Sequence, residues 1–215
     1  MNTFKEIFNN PIYDQINNMV RWNGLSRIKD ETVGHHTHIV TFFSRVIFKD
    51  LFSNSNLVSS TKNYYLAELL TYSIFHDFDE AFTGDILHNF KHNEINGENI
   101  KKQIDEYLNN IQLKNFNSGN PFHELMTDYV FDKQIAKFNK DIVKLADWLS
   151  MLFYLKKEMM LGNQNVKKQF DYCLNKTIQQ TWNLEASLKE MFNTTEGINY
   201  TILVNIRKTN FYENE

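Results

Sequence analysis

Punctuation is scarce in this chain: seven glycines and two prolines, Pro11 and Pro121, are spread over 215 residues. Sandwiches and barrels need turn residues about every 8–12 positions, so all-β architecture is not expected. Apolar residues recur instead at helical spacing. His36, Ile39, Val40, Phe43, Val46, Ile47 and Leu51 mark one face of a helix of about four turns. Leu66, Leu69, Leu70, Ser73, Ile74 and Asp77 mark a second face. A third runs through Ile142, Leu145, Ala146, Leu149, Leu152, Phe153 and Met159, and Gly162-Asn163 supply a C-terminal cap. Weaker helical patterns cover 3–20, 97–112, 122–137 and 165–192. The expectation is an all-α protein of roughly seven helices.

A hydrophobic fraction of 42%, with eighteen Phe and ten Tyr, supplies a packed interior. The polar breaks at 53–56, 93–99 and 115–121 are too short to be domain linkers, so residues 1–215 are expected to form a single domain. Cys173, the one cysteine, cannot form an internal disulfide. The N-terminus opens no long apolar run, and together these suggest a cytoplasmic protein. No stretch approaches eighteen uncharged apolar residues, and the mean hydropathy is −0.49, so no membrane span is expected. With 23 basic against 26 acidic residues, the chain lacks the basic footprint of a nucleic-acid binder.

Polar side chains appear where a core should be. His35, His36 and His38 cluster near the start of the first face, and His76-Asp77 ends the apolar run that begins at Tyr64. Asp147 interrupts Leu145-Ala146-Asp147-Trp148-Leu149 in the same way. An ionised carboxylate on a buried helix face costs several kcal/mol unless a cation or strong donors compensate. One divalent ion would serve all three places, and imidazoles with carboxylates suit manganese, cobalt, iron or zinc. Adjacent helical residues point about 100° apart, so a helix-borne doublet could share an ion lying between those directions. A His-Asp dipeptide alone is common and is better explained by a core imidazole beside a helix-end aspartate.

The doublet is not alone. Arg21-Trp22, Glu31-Thr32-Val33-Gly34-His35-His36, His76-Asp77-Phe78-Asp79-Glu80-Ala81-Phe82-Thr83-Gly84-Asp85 and Val143-Lys144-Leu145-Ala146-Asp147 occur in that order. Together these segments resemble the HD-domain metal-dependent phosphohydrolases, and within them the bacterial 5′-deoxynucleotidase (YfbR-like) family. The likeness anchors residues 21–163, with Lys91, Glu158 and Gly162-Asn163 also in register, and leaves residues 165–215 to complete the domain. At one place the chain departs from it: Leu87-His88-Asn89 stands where the family usually has Pro-Thr-Pro, which changes that wall of the pocket.

The resemblance implies a helical HD-domain bundle in which His36, His76, Asp77 and Asp147 bind one divalent metal (cobalt, manganese, iron, zinc or magnesium). Such an ion neutralises phosphate charge and acidifies water. Glu80 would be the general acid/base and Arg21 the phosphate clamp. Trp22 would lie against the sugar and exclude a 2′-hydroxyl, while Asp85 would hold the 3′-hydroxyl; Thr83, Lys91 and His88 complete the expected substrate contacts. Core packing is the plainer role for Trp22, a helix cap for Asp85 and a solvated helix-end position for Glu80. His35 and His38 are expected outside the ligand set, and Cys173 as a small buried hydrophobe. The implied enzyme hydrolyses deoxynucleoside 5′-monophosphates to deoxynucleoside and phosphate and acts as a homodimer on a small nucleotide. Two alternatives keep the same scaffold: a deoxynucleoside triphosphate triphosphohydrolase, and a catalytically silent nucleotide-binding protein. A third makes the helices a plain interaction bundle.

Overall fold

In a computed structural model of the chain, residues 12–78, 80, 84, 102, 103, 106, 110, 135–192 and 196–213 are described. Among them are six helices: α1 (Ile12–Asn18), α2 (Val33–Leu51), α3 (Ser59–Phe75), α4 (Lys137–Met160), α5 (Lys167–Met191) and α6 (Thr201–Lys208). A 3₁₀ turn, Gln164–Val166, precedes α5. No strand occurs among the described residues, only an isolated antiparallel bridge between Val20 and Thr32. The fold is all-α. The expected helices over 97–112 and 122–137 fall outside the described residues but for isolated positions, as does the start of the one expected over 3–20. No helix among the described residues is long and apolar enough to cross a membrane.

The chain divides into two compact units. One comprises Met1–Leu25, Asp30–Thr37 and Phe75–Gln134; the other comprises Ser26–Lys29, His38–Ile74 and Ile135–Glu215. In the first, α1 approaches the opening turn of α2 closely. A Cβ on Gly34 would stand 2.5 Å from Asn17 Oδ1 and 3.1 Å from Asn17 Cα, so glycine there is a spacing requirement. Thr32 Oγ1 accepts the His35 backbone N–H at 3.2 Å, as an N-cap hydroxyl does.

The second unit holds the larger core, built on Val40, Ile47, Phe48, Leu51, Leu69, Phe138, Ile142, Leu145, Leu184, Leu188 and Leu203. Phe52, Tyr65, Phe138 and Phe192 meet ring to ring, with centroids 5.0–6.1 Å apart, a spacing that favours edge-to-face contact. Buried Glu68 accepts Asn139 Nδ2 at 2.7 Å and the Ala136 backbone N–H at 3.2 Å. Its charge thus meets the start of α4, where unsatisfied amides and the helix dipole favour an anion.

Helices α4 and α5 run antiparallel: Gln180 Nε2 donates to Asp141 Oδ1 at 3.2 Å, and Trp148 packs on Tyr172 at 6.1 Å. Gly162, at φ 97, ends α4 as the sequence suggests, its N–H bonded to Met159 O at 3.0 Å. The expected faces need rotation in places. Val46, Ile74 and Phe153 are exposed. The buried stripe of α2 instead passes through Val40, Ser44, Ile47, Phe48 and Leu51, since Ser44 is small enough to lie inside. On α4 the interior takes Tyr154 and Leu155, while Phe153 lies under Lys157 Nζ at 4.0 Å. Helix α6, which lies past the helical pattern at 165–192 but within the C-terminal helices expected to complete the domain, buries Leu203 and sets Arg207 over Trp182 at 3.7 Å and against Glu185 at 2.8 Å.

Candidate metal centre

His36 lies in the first turns of α2, where its N–H bonds to Thr32 O at 3.0 Å, and its side chain is wholly buried. His35 and His38, its neighbours along the helix, point to solvent. The register therefore selects His36 as expected. His76 and Asp77, expected on a helix, lie instead in the turn that ends α3 at Phe75. There the Phe78 N–H bonds to Phe75 O at 3.0 Å, a three-residue step that tightens the backbone, and the Phe75 and Phe78 rings meet at 5.3 Å. Leaving helical spacing is what allows two adjacent side chains to face each other.

They do so across one oxygen. Asp77 Oδ2 stands 3.2 Å from His76 Nε2 and 3.4 Å from His36 Nε2, with the two rings 5.5 Å apart between centroids. Burial by itself would raise the pKa of Asp77. The charge and hydrogen bond of His76, and the charges of His36 and Arg21, outweigh burial and hold the carboxyl far below the usual range. Asp77 is thus ionised at any physiological pH, the state that metal ligation requires. Two imidazoles converging on an ionised carboxylate form a donor set that fits a divalent transition metal.

Glu80 is buried, its N–H bonded to Asp77 O at 3.1 Å, which keeps it one turn beyond the doublet. In the second unit, Asp147 is buried on α4 and accepts Lys144 Nζ at 2.8 Å, while Lys144 also covers the Trp148 ring at 4.9 Å. Thr83, Asp85, His88 and Lys91 lie outside the described residues.

Arg21 and Trp22 belong to the same unit as the histidines. Arg21 is 9% exposed, and its charge is felt at Asp77. Trp22 is the one non-glycine residue with positive φ, 66°, among the described residues. A bulky side chain in that region costs about 1–3 kcal/mol, and such strain concentrates at functional sites. Glu31, given no role from sequence, sits between the pair. It is 3% exposed, and its Oε2 accepts the Trp22 indole N–H at 2.8 Å and lies 3.6 Å from Arg21 Nη1. Its position inside the His36 segment was the available signal; its burial was not visible there. Cys173 is buried, as expected.

A family model described as 5′-deoxynucleotidase YfbR-like matches residues 11–194. Among solved structures, the chain is similar to an HD-domain phosphohydrolase from Listeria innocua, with 17% identity, coverage of 94% of this chain and 96% of that one, and a TM-score of 0.66. A protein from Pyrococcus horikoshii shares 20% identity over 90% of this chain and 98% of its own, with a TM-score of 0.60. A conserved hypothetical protein from Pyrococcus furiosus shares 18% identity over 96% and 99%, with a TM-score of 0.58. At these identities the structures speak for the fold alone. No curated protein matches the chain. HD-domain phosphohydrolases use a divalent metal, in keeping with the donors of His36, His76 and Asp77. Matched by its model over most of its length, the chain belongs to the YfbR-like 5′-deoxynucleotidase family and is a hydrolase of phosphoester bonds.

Proposed function

We propose that the enzyme hydrolyses deoxynucleoside 5′-monophosphates to the deoxynucleoside and inorganic phosphate. The observation that carries this reading is the convergence of two buried imidazoles on one ionised carboxylate, with a buried arginine whose charge reaches the same group. His36, His76, Asp77 and Asp147 would hold the metal, imidazoles and carboxylates being donors that suit a divalent transition ion. When bound, the ion supplies positive charge to the phosphate and acidifies water.

The chain's own groups supply the rest. Arg21 binds the phosphate, for which a guanidinium offers paired donors. Glu80 takes a proton from the attacking water and returns it to the 5′-oxygen as the P–O5′ bond breaks and the new P–O bond forms. Trp22 lies against the deoxyribose and leaves no room for a 2′-hydroxyl, so selectivity arises by exclusion. Asp85 holds the 3′-hydroxyl, and Thr83, His88 and Lys91 complete the substrate contacts.

The proposal extends to the setting: one domain over residues 1–215, cytoplasmic, homodimeric, without a nucleic-acid polymer or membrane as partner. Near-balanced charge, 23 basic against 26 acidic residues, supports the last point. The test is a screen of purified, metal-reconstituted protein against deoxy- and ribonucleoside mono-, di- and triphosphates, with products identified. Free phosphate from deoxynucleoside monophosphates is expected. Triphosphate released from deoxynucleoside triphosphates would replace this reading with the triphosphohydrolase, and no product from any substrate would leave a silent nucleotide binder.

A further inference from the structure

Glu31 reaches both residues assigned to substrate recognition with a single oxygen. Its Oε2 lies 2.8 Å from the Trp22 indole nitrogen and 3.6 Å from Arg21 Nη1, while the guanidinium carbon stands 5.7 Å from the centre of the Trp22 ring. The backbone ties the same residues together. Arg21 N–H bonds to Glu31 O at 2.8 Å, and the neighbouring pair, Val20 and Thr32, forms an antiparallel bridge. Glu31 is therefore fixed against the Arg21-Trp22 segment at both main chain and side chain.

We propose that Glu31 is a positioning residue that sets Arg21 and Trp22 together, so that one buried carboxylate couples the grip on phosphate to the selection of the sugar. The proposal rests on the reading above, in which Arg21 meets the phosphate and Trp22 the deoxyribose. Three observations carry it. A buried carboxylate demands strong donors, and charge-assisted bonds gain strength away from water. At 2.8 Å the indole bond is a full hydrogen bond, and it anchors a side chain whose backbone is held at φ 66. At 3.6 Å the approach of Glu31 Oε2 to Arg21 Nη1 is a charge–charge attraction that orients the guanidinium.

The two contacts separate by substitution. Glu31→Gln keeps an oxygen for the indole N–H but loses the charge facing Arg21. Glu31→Ala loses both. In the full-length, metal-loaded protein, two readouts are needed: the indole ¹H–¹⁵N resonance of Trp22, assigned with Trp22→Phe, and steady-state kinetics on matched deoxy- and ribonucleoside 5′-monophosphates. Glu31→Gln should leave the indole resonance and the deoxy-to-ribo ratio of kcat/KM near wild type while raising KM about tenfold, as expected for loss of one charge-assisted contact. Glu31→Ala should shift the indole resonance and bring the ratio down to that of Trp22→Ala.

An indole resonance that Glu31→Ala leaves in place overturns the proposal, as does an unchanged KM in Glu31→Gln. So does a wild-type ratio in Glu31→Ala when Trp22→Ala lowers it. A Trp22→Ala variant that itself keeps the wild-type ratio overturns the underlying reading of Trp22 instead. If Glu31→Ala does not fold, the KM of Glu31→Gln still decides the Arg21 half.

Discussion

Glu158 accepts the backbone N–H of Lys29 at 2.8 Å, joining positions 129 residues apart. Its other oxygen takes the Ile28 N–H at 2.7 Å and Asn163 Nδ2 at 2.8 Å. Asn163 also donates to Ser26 O at 2.8 Å, and Tyr154 donates its hydroxyl to Lys29 O at 2.7 Å. The short loop after the Arg21-Trp22 segment is thus clamped onto the end of α4 by one buried carboxylate. Glu158→Ala removes the acceptor of two backbone N–H groups, and a hydrogen bond of this kind contributes about 0.5–1.5 kcal/mol net. Denaturant unfolding should show a midpoint lowered accordingly with its slope unchanged; Glu158→Gln, which keeps one acceptor, should lose less. No change in midpoint for Glu158→Ala would show that the clamp does not stabilise the fold.

The same carboxylate gives a pH dependence. Burial would raise its pKa, but the Asn163 amide, the Ile28 and Lys29 N–H groups and the Arg27 charge together hold it below the ordinary 4.5. A depressed acid contributes stability that is fully present above its unfolded-state value and is lost as pH falls through the lower folded-state value. Wild-type stability should therefore decline on acidification below about pH 4.5, and Glu158→Gln should remove part of that slope. Parallel curves for the two proteins would contradict the assignment.

Metal dependence follows from the trio around Asp77. Chelation should abolish turnover, and adding back a divalent ion should restore it. Binding to the folded state should also raise the melting temperature, by an amount equivalent to about 2.7 kcal/mol at a hundredfold excess over Kd. His76→Ala and Asp77→Ala should lower bound metal measured by elemental analysis, and should flatten the response of the melting temperature to added ion. Full metal content in either variant would remove that residue from the ligand set.

Gly34 tests the approach of α1 to α2. With Asn17 Cα only 3.1 Å from where a Cβ would stand, Gly34→Ala must push backbone and not merely a side-chain tip. Overpacking of that kind costs about 1–3 kcal/mol, which would reverse the stabilisation that alanine ordinarily brings to a helix. Because His36 sits half a turn further along, metal affinity should fall with it. A stabilised Gly34→Ala protein would show that α1 yields easily.

Much of this was legible in the sequence because its signals are local. Helical period placed α2, α3, α4 and α5, and with His35 one position before it and His38 two after, the helical register left His36 as the buried one. What the sequence hid depends on contacts between distant segments. The turn at His76-Asp77 is shaped by Phe78 packing back on Phe75, which a periodic pattern extended past the helix end cannot register. Glu68 looks like a solvated helix residue until Ala136 and Asn139 arrive to bond it. Glu31 resembles any loop acid until Arg21 and Trp22 fold beside it. Val46 and Phe153 fit an apolar stripe on paper, and only packing shows the stripe turned toward Ser44 and Tyr154.

Glu80 carries the sharpest catalytic prediction. It is buried, its N–H bonds to Asp77 O, and its own carbonyl accepts the Gly84 N–H at 2.8 Å, so its backbone is held at both ends of a turn. A substitution that shortens the side chain should leave that scaffold in place. Proton transfer by a positioned group contributes about 10²–10⁴ in rate; Glu80→Ala and Glu80→Gln should therefore lower kcat by that range while bound metal and substrate affinity stay near wild type. Gln matters because it keeps size and hydrogen bonding but cannot accept and return the proton. Loss of metal along with activity in both variants would make Glu80 a support for the donor set, and activity retained in Glu80→Gln would end its role as acid/base.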